Sequence, residues 1–261
     1  MTQFGLQLTK MKTFVVIVNY GTKQLEYLSH VIKTVKEWKC QTDILICTDI
    51  PLGISGVKEK IITCPPIELP LNAKEEIFKK RKKYDLYVLV ENDVEITWKN
   101  VECWLACRSK VRLPYIVGFF QYEKRDGLVW FQSHHPPYSW DKSSLIKIDE
   151  YTLCHHTNLH QGCFILDQEL LDYIKSHPHP DPWTGENQAT YEELNPRQLY
   201  GPIERSNTDI YRTPGLIKVI PVSHLMDFMI WHMSNKYING SFGVYSNEMA
   251  KILDELLGVD N

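Results

Sequence analysis

The stretch YDLYVLVENDVEI, residues 84–96, decides the fold. Within it, Leu86 to Val90 form a short, continuous apolar run between polar residues, which predicts a strand buried on both faces. The run ends in Glu91-Asn92-Asp93, and two carboxylates two residues apart on extended backbone point to the same side. Because like charges repel at that distance unless a cation lies between them, the pair indicates a divalent-metal site. A solvated turn is the alternative interpretation.

Length and composition predict one fairly large domain. The chain has 261 residues, of which 43% are hydrophobic, and 29 basic and 32 acidic residues give a net charge of -3. We expect a single domain over residues 1–261, with the first ten residues as a poorly ordered extension. This charge balance gives no electrostatic reason to expect nucleic-acid binding.

The cysteines and the apolar runs bear on the compartment. Seven cysteines without a C-x-x-C pair predict neither a disulfide framework nor a thiolate zinc site. Buried free thiols are typical of a reducing compartment. The longest N-terminal apolar run, residues 14–18, is too short for a signal peptide or a membrane span. We therefore expect a soluble, cytoplasmic protein without an integral membrane segment.

Strands alternate with helices in the first part of the chain. The β-branched run 13–18 predicts a first strand, and apolar residues at helical spacing over 25–38 predict the helix that follows it. Residues 44–48 and 60–63 predict two further strands. This alternation indicates a parallel sheet covered by helices.

The pattern changes after residue 108. Residues 115–122, with Gly118 among them, and 128–132 predict two strands joined by a hairpin-like turn over 123–127. A hairpin after βα alternation indicates that the sheet becomes mixed.

Three histidines, His155, His156 and His160, lie close together in the sequence. Histidines four residues apart can bind zinc from one helix face, but the glutamate of the H-E-x-x-H motif is missing. We favour a loop over 152–161 that lines a pocket, and a zinc site is the alternative.

An apolar strand followed by D-x-D or a variant resembles the metal-binding signature of glycosyltransferases with the GT-A fold, and Glu91-Asn92-Asp93 is such a variant. The order of elements resembles that family from Thr13 to about Tyr237. The resemblance implies an α/β fold, GT-A-like and therefore Rossmann-like, with a mixed central sheet flanked by helices on both faces. It also implies a divalent metal, Mn²⁺ or Mg²⁺, that holds the diphosphate of a nucleotide-sugar donor.

The resemblance further implies a set of donor-binding residues. In GT-A enzymes the loop after the first strand and the end of the second strand hold the nucleotide. A basic residue on the helix before the acidic strand often contacts the donor as well. On this sequence the implied residues are Asn19, Tyr20, Gly21, Asp49, Arg81, Asn92 and Lys236. For each of them, an ordinary turn or a solvated surface is the alternative interpretation.

A histidine near the C-terminus is often an additional metal ligand in this family, and His224 and His232 both qualify. The implied metal ligands are therefore Glu91, Asp93, His224 and His232. Imidazole together with carboxylates suits manganese better than calcium. By its place in the chain, Glu192 or Glu193 corresponds to the general base of inverting members, which deprotonates the acceptor hydroxyl. Core histidines and an exposed helix start are the alternatives.

The implied activity is a metal-dependent hexosyl- or pentosyltransferase. It would move a sugar from a nucleotide-diphosphate sugar to a carbohydrate or another hydroxyl acceptor, with the metal as Lewis acid. Two alternatives stay open, namely a metal-dependent nucleotidyltransferase and a non-catalytic carbohydrate-binding protein on the same fold. A histidine-based zinc hydrolase is a more distant alternative, because the histidines lack a recognised ligand spacing.

Overall fold

The structure is a computed structural model that describes residues 9–132, 139–176, 202–212, 215–236, 238 and 243–258. Its contacts divide the chain into two compact units. The first unit comprises Met1–Asn92 and Gly162–Gly215, and the second comprises Asp93–Gln161 and Leu216–Asn261. The boundary between the units therefore falls inside the acidic motif. This division does not test the expectation of a single domain, which stays a prediction.

The first unit is built on one five-stranded sheet. Its strands are β1 (Lys12–Asn19), β2 (Gln41–Thr48), β3 (Lys58–Ile61), β4 (Leu86–Glu91) and β11 (Cys163–Asp167), in the order β11-β4-β1-β2-β3. The first four strands are parallel, and β11 runs antiparallel beside β4. The helices of this unit are α1 (Leu25–Lys36), α2 (Leu69–Lys79), α4 (Gln168–Ser176) and α5 (Pro202–Arg212), with a 3-10 turn at Pro66–Glu68.

Strands β1 and β4 form the centre of that sheet. Val15, Val16 and Ile17 of β1 are fully buried, and so is the apolar run of β4 from Leu86 to Val90. Burial of every residue in turn means that both faces of each strand are covered. The prediction of a strand buried on both faces before the acidic motif is therefore confirmed.

The second unit contains two further sheets. Its strands are β5 (Val94–Glu95), β6 (Tyr115–Val117), β7 (Phe120–Arg125), β8 (Leu128–Gln132), β9 (Trp140–Ile148), β10 (Tyr151–His156), β12 (Ile217–Pro221), β13 (Met229–His232) and β14 (Gly243–Tyr245). One sheet has the order β6-β12-β10-β9, and the other has the order β14-β8-β7-β13-β5. The helical elements are α3 (Trp98–Arg108), α6 (Ser246–Leu257) and a 3-10 segment at Val222–Phe228.

The predicted class, α/β with mixed sheets flanked by helices, is confirmed. Three local expectations differ from the structure. The strand predicted over 115–122 is interrupted at Gly118, and β6 and β7 belong to different sheets. The loop predicted over 152–161 begins instead as strand β10, because Tyr151–His156 pairs with β9 on one side and β12 on the other. The hairpin turn is shorter than predicted and consists of Asp126 and Gly127, both at positive φ.

All seven cysteines carry free thiols, and Cys47, Cys107, Cys154 and Cys163 are buried. Burial raises the pKa of Cys47 and of Cys107 to about 12, which keeps both thiols protonated and unreactive. Within the described ranges, no helix is both long and apolar enough to cross a membrane.

Gly118 allows a buried lysine to pass close to the backbone. A Cβ at this position would lie 2.5 Å from Cγ and 2.6 Å from Cδ of Lys218, and 3.0 Å from Oε1 of Gln161. Lys218 is buried and its Nζ donates to the carbonyl of Leu159 at 3.4 Å, while Gln161 Oε1 accepts from the amide of Phe119 at 2.7 Å. Because neither side chain can move without losing a buried hydrogen bond, glycine is required by packing.

We expect Gly118→Ala to lower the free energy of unfolding by about 1–3 kcal/mol, because the added methyl group overpacks this site. The double variant Gly118→Ala, Lys218→Ala should lose less than the sum of the two single losses, since the shortened side chain removes the clash. Urea unfolding of the four proteins measures both quantities. Strictly additive losses would contradict the steric explanation.

Candidate functional site

The carboxyl ends of three neighbouring parallel strands are joined by hydrogen bonds in the first unit. Asn92 Nδ2 donates to Asn19 Oδ1 at 2.7 Å, and Asn19 Nδ2 donates to the carbonyl of Gly21 at 2.9 Å. The amide of Gly21 in turn donates to Asp49 Oδ1 at 2.7 Å. We call Asn19, Gly21, Asp49 and Asn92 the strand-end network. The structure thus brings together four of the predicted donor-binding residues.

Burial separates the supporting members of this region from the accessible ones. Asn19 and Asn92 are almost completely buried, and buried amides must find partners, so these two side chains hold the loops in place. Gly21 has a φ of +62°, which favours glycine and turns its amide toward Asp49. Tyr20, by contrast, is 52% exposed, and Asp49 is half-buried. A ligand at this edge would meet the Tyr20 ring and the Asp49 carboxylate first.

Glu91 ends strand β4 beside this network. Its amide donates to the carbonyl of Gly162 at 2.9 Å, and its Oε1 accepts from Asn207 Nδ2 of α5 at 3.5 Å. Asn207 is buried and was not among the predicted site residues.

Arg81 follows the end of α2 and contacts other side chains of the first unit. Its Nε lies 3.5 Å from Asp172 Oδ1, and its guanidinium lies 5.5 Å from the centre of the Phe78 ring. These contacts account for the position of the side chain, and the predicted role of Arg81 in donor binding stays a prediction.

The second unit contains a buried cluster of charged groups around His232. His232 Nδ1 donates to Glu123 Oε1 at 2.6 Å, and His232 Nε2 lies 3.4 Å from Asp93 Oδ2. The same Asp93 oxygen lies 3.6 Å from Lys236 Nζ. We call Asp93, Glu123, His232 and Lys236 the His232 cluster. It joins three residues predicted from the sequence with one, Glu123, that was not.

Backbone pairing fixes the positions of these side chains. The amide of Met233 donates to the carbonyl of Asp93 at 2.8 Å, and His232 pairs with Val94 across β13 and β5. Glu123 has no exposed surface, and its Oε2 accepts from the amide of Ile238 at 2.8 Å. The ladder and the buried carboxylate together hold the imidazole in one orientation.

Charge pairing controls the protonation of the cluster. Burial disfavours the imidazolium, but hydrogen bonds and charge interactions with Asp93 and Glu123 outweigh it and raise the pKa of His232 to about 9. Burial likewise disfavours the Asp93 carboxylate, yet His232 and Lys236 lower its pKa to about 2. At neutral pH this region therefore contains an imidazolium between two carboxyl groups.

The other predicted histidines have different surroundings. His224 Nδ1 lies within hydrogen-bond distance of Ser223 Oγ, at 2.9 Å, and its ring packs on Tyr151. His155 Nδ1 donates to the carbonyl of Lys218 at 2.7 Å, and His156 packs edge-on against aromatic rings. Among the described residues, no group of three His, Cys, Asp or Glu side chains is arranged to hold a metal. Glu192 and Glu193 lie outside the described residues.

Comparisons with known proteins find similarity among solved structures but none in sequence. The sequence matches no protein-family profile, and comparison with curated proteins finds no significant relative. Among solved structures, residues 1–349 of S. aureus TarS, a glycosyltransferase, match with a TM-score of 0.46 and 12% sequence identity. The match covers 95% of this chain and 71% of that one. Identity and TM-score at this level do not bear on activity.

The buried imidazole of His156 allows a prediction about the stability of the protein in acid. Burial lowers its pKa to about 3, with a further contribution from Lys218, so the folded state keeps it neutral while the unfolded chain protonates it near 6.5. The contribution of neutral His156 to the free energy of unfolding is fully present above pH 6.5 and is lost as the pH falls toward 3. At pH 5 the loss should be about 2 kcal/mol, since each pKa unit corresponds to about 1.4 kcal/mol.

The variant His156→Phe keeps a ring of similar size against Phe120 and Trp140 but cannot titrate. Urea unfolding at pH 8 and at pH 5 should show a smaller loss of stability on acidification for this variant than for the original chain. An equal loss in both proteins would contradict the assignment.

Proposed function

We propose that the chain is a glycosyltransferase that uses a nucleotide-diphosphate sugar as donor, a hydroxyl group as acceptor and a divalent metal. The observation that carries this proposal is the strand-end network, since open α/β sheets bind ligands at the carboxyl ends of their strands. Asn19, Gly21, Asp49 and Asn92 were selected from the sequence as donor-binding residues, and hydrogen bonds connect them at that edge.

The nucleoside of the donor would contact the accessible groups of this network. The exposed ring of Tyr20 offers a face on which a base can stack, and stacking is tolerant of base identity. Asp49 has a carboxylate that can accept from ribose hydroxyls, as acidic residues near strand ends do in other nucleotide-binding sheets. Asn19 and Asn92 would act indirectly, by holding the loop that carries Tyr20.

The metal would be held by Asp93 and by His232, whose Nε2 must lose its proton to bind the metal. Their donor set, a carboxylate and an imidazole, suits Mn²⁺, and the hydrogen bond from His232 Nδ1 to Glu123 is the kind that orients an imidazole ligand. The metal would supply Lewis-acid stabilisation of the departing nucleotide diphosphate. Lys236, 57% exposed and 3.6 Å from Asp93, would add a positive charge beside that leaving group. The resemblance alone supports two further parts of the proposal. These are metal binding by Glu91 and His224, and base catalysis by Glu192 or Glu193.

A thermal-shift screen of nucleoside diphosphates and nucleotide sugars, with and without MnCl₂, tests the proposal. A donor present at 100 times its Kd stabilises the protein by about 2.7 kcal/mol, which is measurable as a higher Tm. Release of nucleoside diphosphate on addition of an acceptor would then identify transfer. If no nucleotide shifts the Tm with manganese present, the proposal fails.

Tyr20→Ala should weaken binding of the donor identified in that screen by about 1–3 kcal/mol, roughly 5- to 150-fold in Kd, through loss of base stacking. Because Tyr20 is exposed, the Tm of the protein alone should change little. Leu145→Ala is the matched control, since Leu145 is an exposed large side chain of the second unit. Isothermal titration measures the donor affinity of the original chain and of both variants. Equal affinities would count against a stacking role for Tyr20.

Asp93→Asn should remove most of the manganese-dependent part of donor binding, about tenfold or more in apparent affinity, because an amide is a poor substitute for a carboxylate ligand. Asp227→Asn is the control, since Asp227 is another aspartate of the second unit, partly exposed and 3.6 Å from Lys99 Nζ. The spectrum of free Mn²⁺ in electron paramagnetic resonance measures metal binding without relying on activity. Identical Mn²⁺ binding by both variants would exclude Asp93 as a ligand.

A further inference from the structure

A pocket of about 320 Å³ opens in the first unit, away from the strand-end network. Its walls come from the amino-terminal halves of the parallel strands and include Phe14 of β1, Asp43 of β2 and Lys58 of β3. On β1, Phe14 precedes Asn19 by five residues, which corresponds to about 17 Å along an extended strand. The pocket is therefore a different site from the one to which we assign the donor.

Lysine side chains dominate the charge of this pocket. Lys36, Lys58, Lys60 and Lys80 line it, against two carboxylates, Asp43 and Glu76. Glu76 accepts from Lys60 at 2.6 Å and also from Lys79, while Asp43 accepts from the hydroxyl of Tyr84 at 2.6 Å.

Within the part of the chain that the structure describes, three of the four lysines lack such a partner. No carboxylate in the described part of the chain forms an ion pair with Lys36, Lys58 or Lys80. Among the described residues that line the pocket, four lysines face two carboxylates, an excess of two positive charges.

The fold directs these ammonium groups toward the pocket. Lys58 and Lys60 alternate with Glu59 on β3 and therefore point to the same face of the sheet. Lys36 Nζ, from α1, lies only 3.8 Å from the position that a Cβ on Gly56 would occupy, and Gly56 also lines the pocket. Lys80 follows the end of α2. The cations come from three separate elements and converge on one concave surface.

We propose that this pocket binds the phosphate monoester group of a small organic molecule. An excess of two positive charges matches a dianion, and ammonium groups bind phosphate as compact point charges. The rings of Phe14 and Tyr84, stacked 5.1 Å apart, give part of the wall an apolar character that suits the carbon skeleton of the ligand. The volume is at the lower end of the range for ligand pockets and admits a molecule of the size of a hexose phosphate.

The test uses the full chain with three probes: inorganic phosphate, glucose 6-phosphate and glucose. We expect both phosphates to bind in isothermal titration at constant ionic strength, and glucose not to bind. The triple variant Lys36→Gln, Lys58→Gln, Lys80→Gln should lose at least tenfold in affinity for glucose 6-phosphate. The matched control, Lys23→Gln, Lys33→Gln, Lys39→Gln, removes three exposed cations of the same unit and should keep the original affinity.

Three outcomes would overturn the proposal. The first is that neither phosphate binds. The second is an equal loss of affinity in both triple variants, which would indicate general attraction to net charge. The third is loss of glucose 6-phosphate binding in Tyr20→Ala together with Asp49→Asn, which would place the phosphate at the strand-end network. Retention by that double variant, with loss in the pocket variant, supports a separate site even if the chain binds no nucleotide.

Discussion

The parallel pairing of β1 with β4 is the constraint on which the strand-end network depends. In its register, Val18 lies opposite Glu91, so Asn19 and Asn92 leave their strands side by side. Both amides are buried there, and each satisfies a hydrogen-bonding need of the other at 2.7 Å. A partner lost from such a pair leaves a buried polar group unsatisfied, which costs about 1–3 kcal/mol. A slip of one residue would move the two amides apart and leave both without this partner, so the buried hydrogen bond favours the observed register.

In the second unit, the corresponding constraint is the balance of buried charge around His232. Isolated charges are costly to bury, and they are tolerated when they are paired and hydrogen-bonded. With His232 protonated, two cations face the carboxyl groups of Asp93 and Glu123, so the cluster as a whole is close to neutral. Neutrality explains how Glu123 can be completely buried on a short strand. It also means that any cation entering near Asp93 would compete with a proton on His232.

The sequence allowed prediction of the features that depend on local pattern. The apolar run before Glu91 predicted a strand buried on both faces, whereas the members of the strand-end network were named only because the resemblance to GT-A enzymes implied them. Glu123 was missed because its importance comes from a partner more than a hundred residues away, although the alternation of buried Gln121 and Glu123 on β7 is a signal in retrospect. The histidines at 155 and 156 were expected in a loop, but strand β10 pairs with a neighbour on each side and places both residues in a sheet. Gly118 gave no indication that a lysine 100 residues later would pass beside it.

The lysines at the amino-terminal end of the first sheet could have a simpler explanation, because edge strands commonly carry lysine to prevent pairing with other chains. That explanation applies to β3, which is an edge strand and carries Lys58 and Lys60. It does not apply to Lys36 and Lys80, which come from the end of one helix and the residue after another. Lysines can protect an edge strand without any cavity being present, whereas these four side chains line a cavity. Glu76 already neutralises Lys60. Edge protection does not explain why the other three lysines line the same cavity. An anionic ligand does explain it.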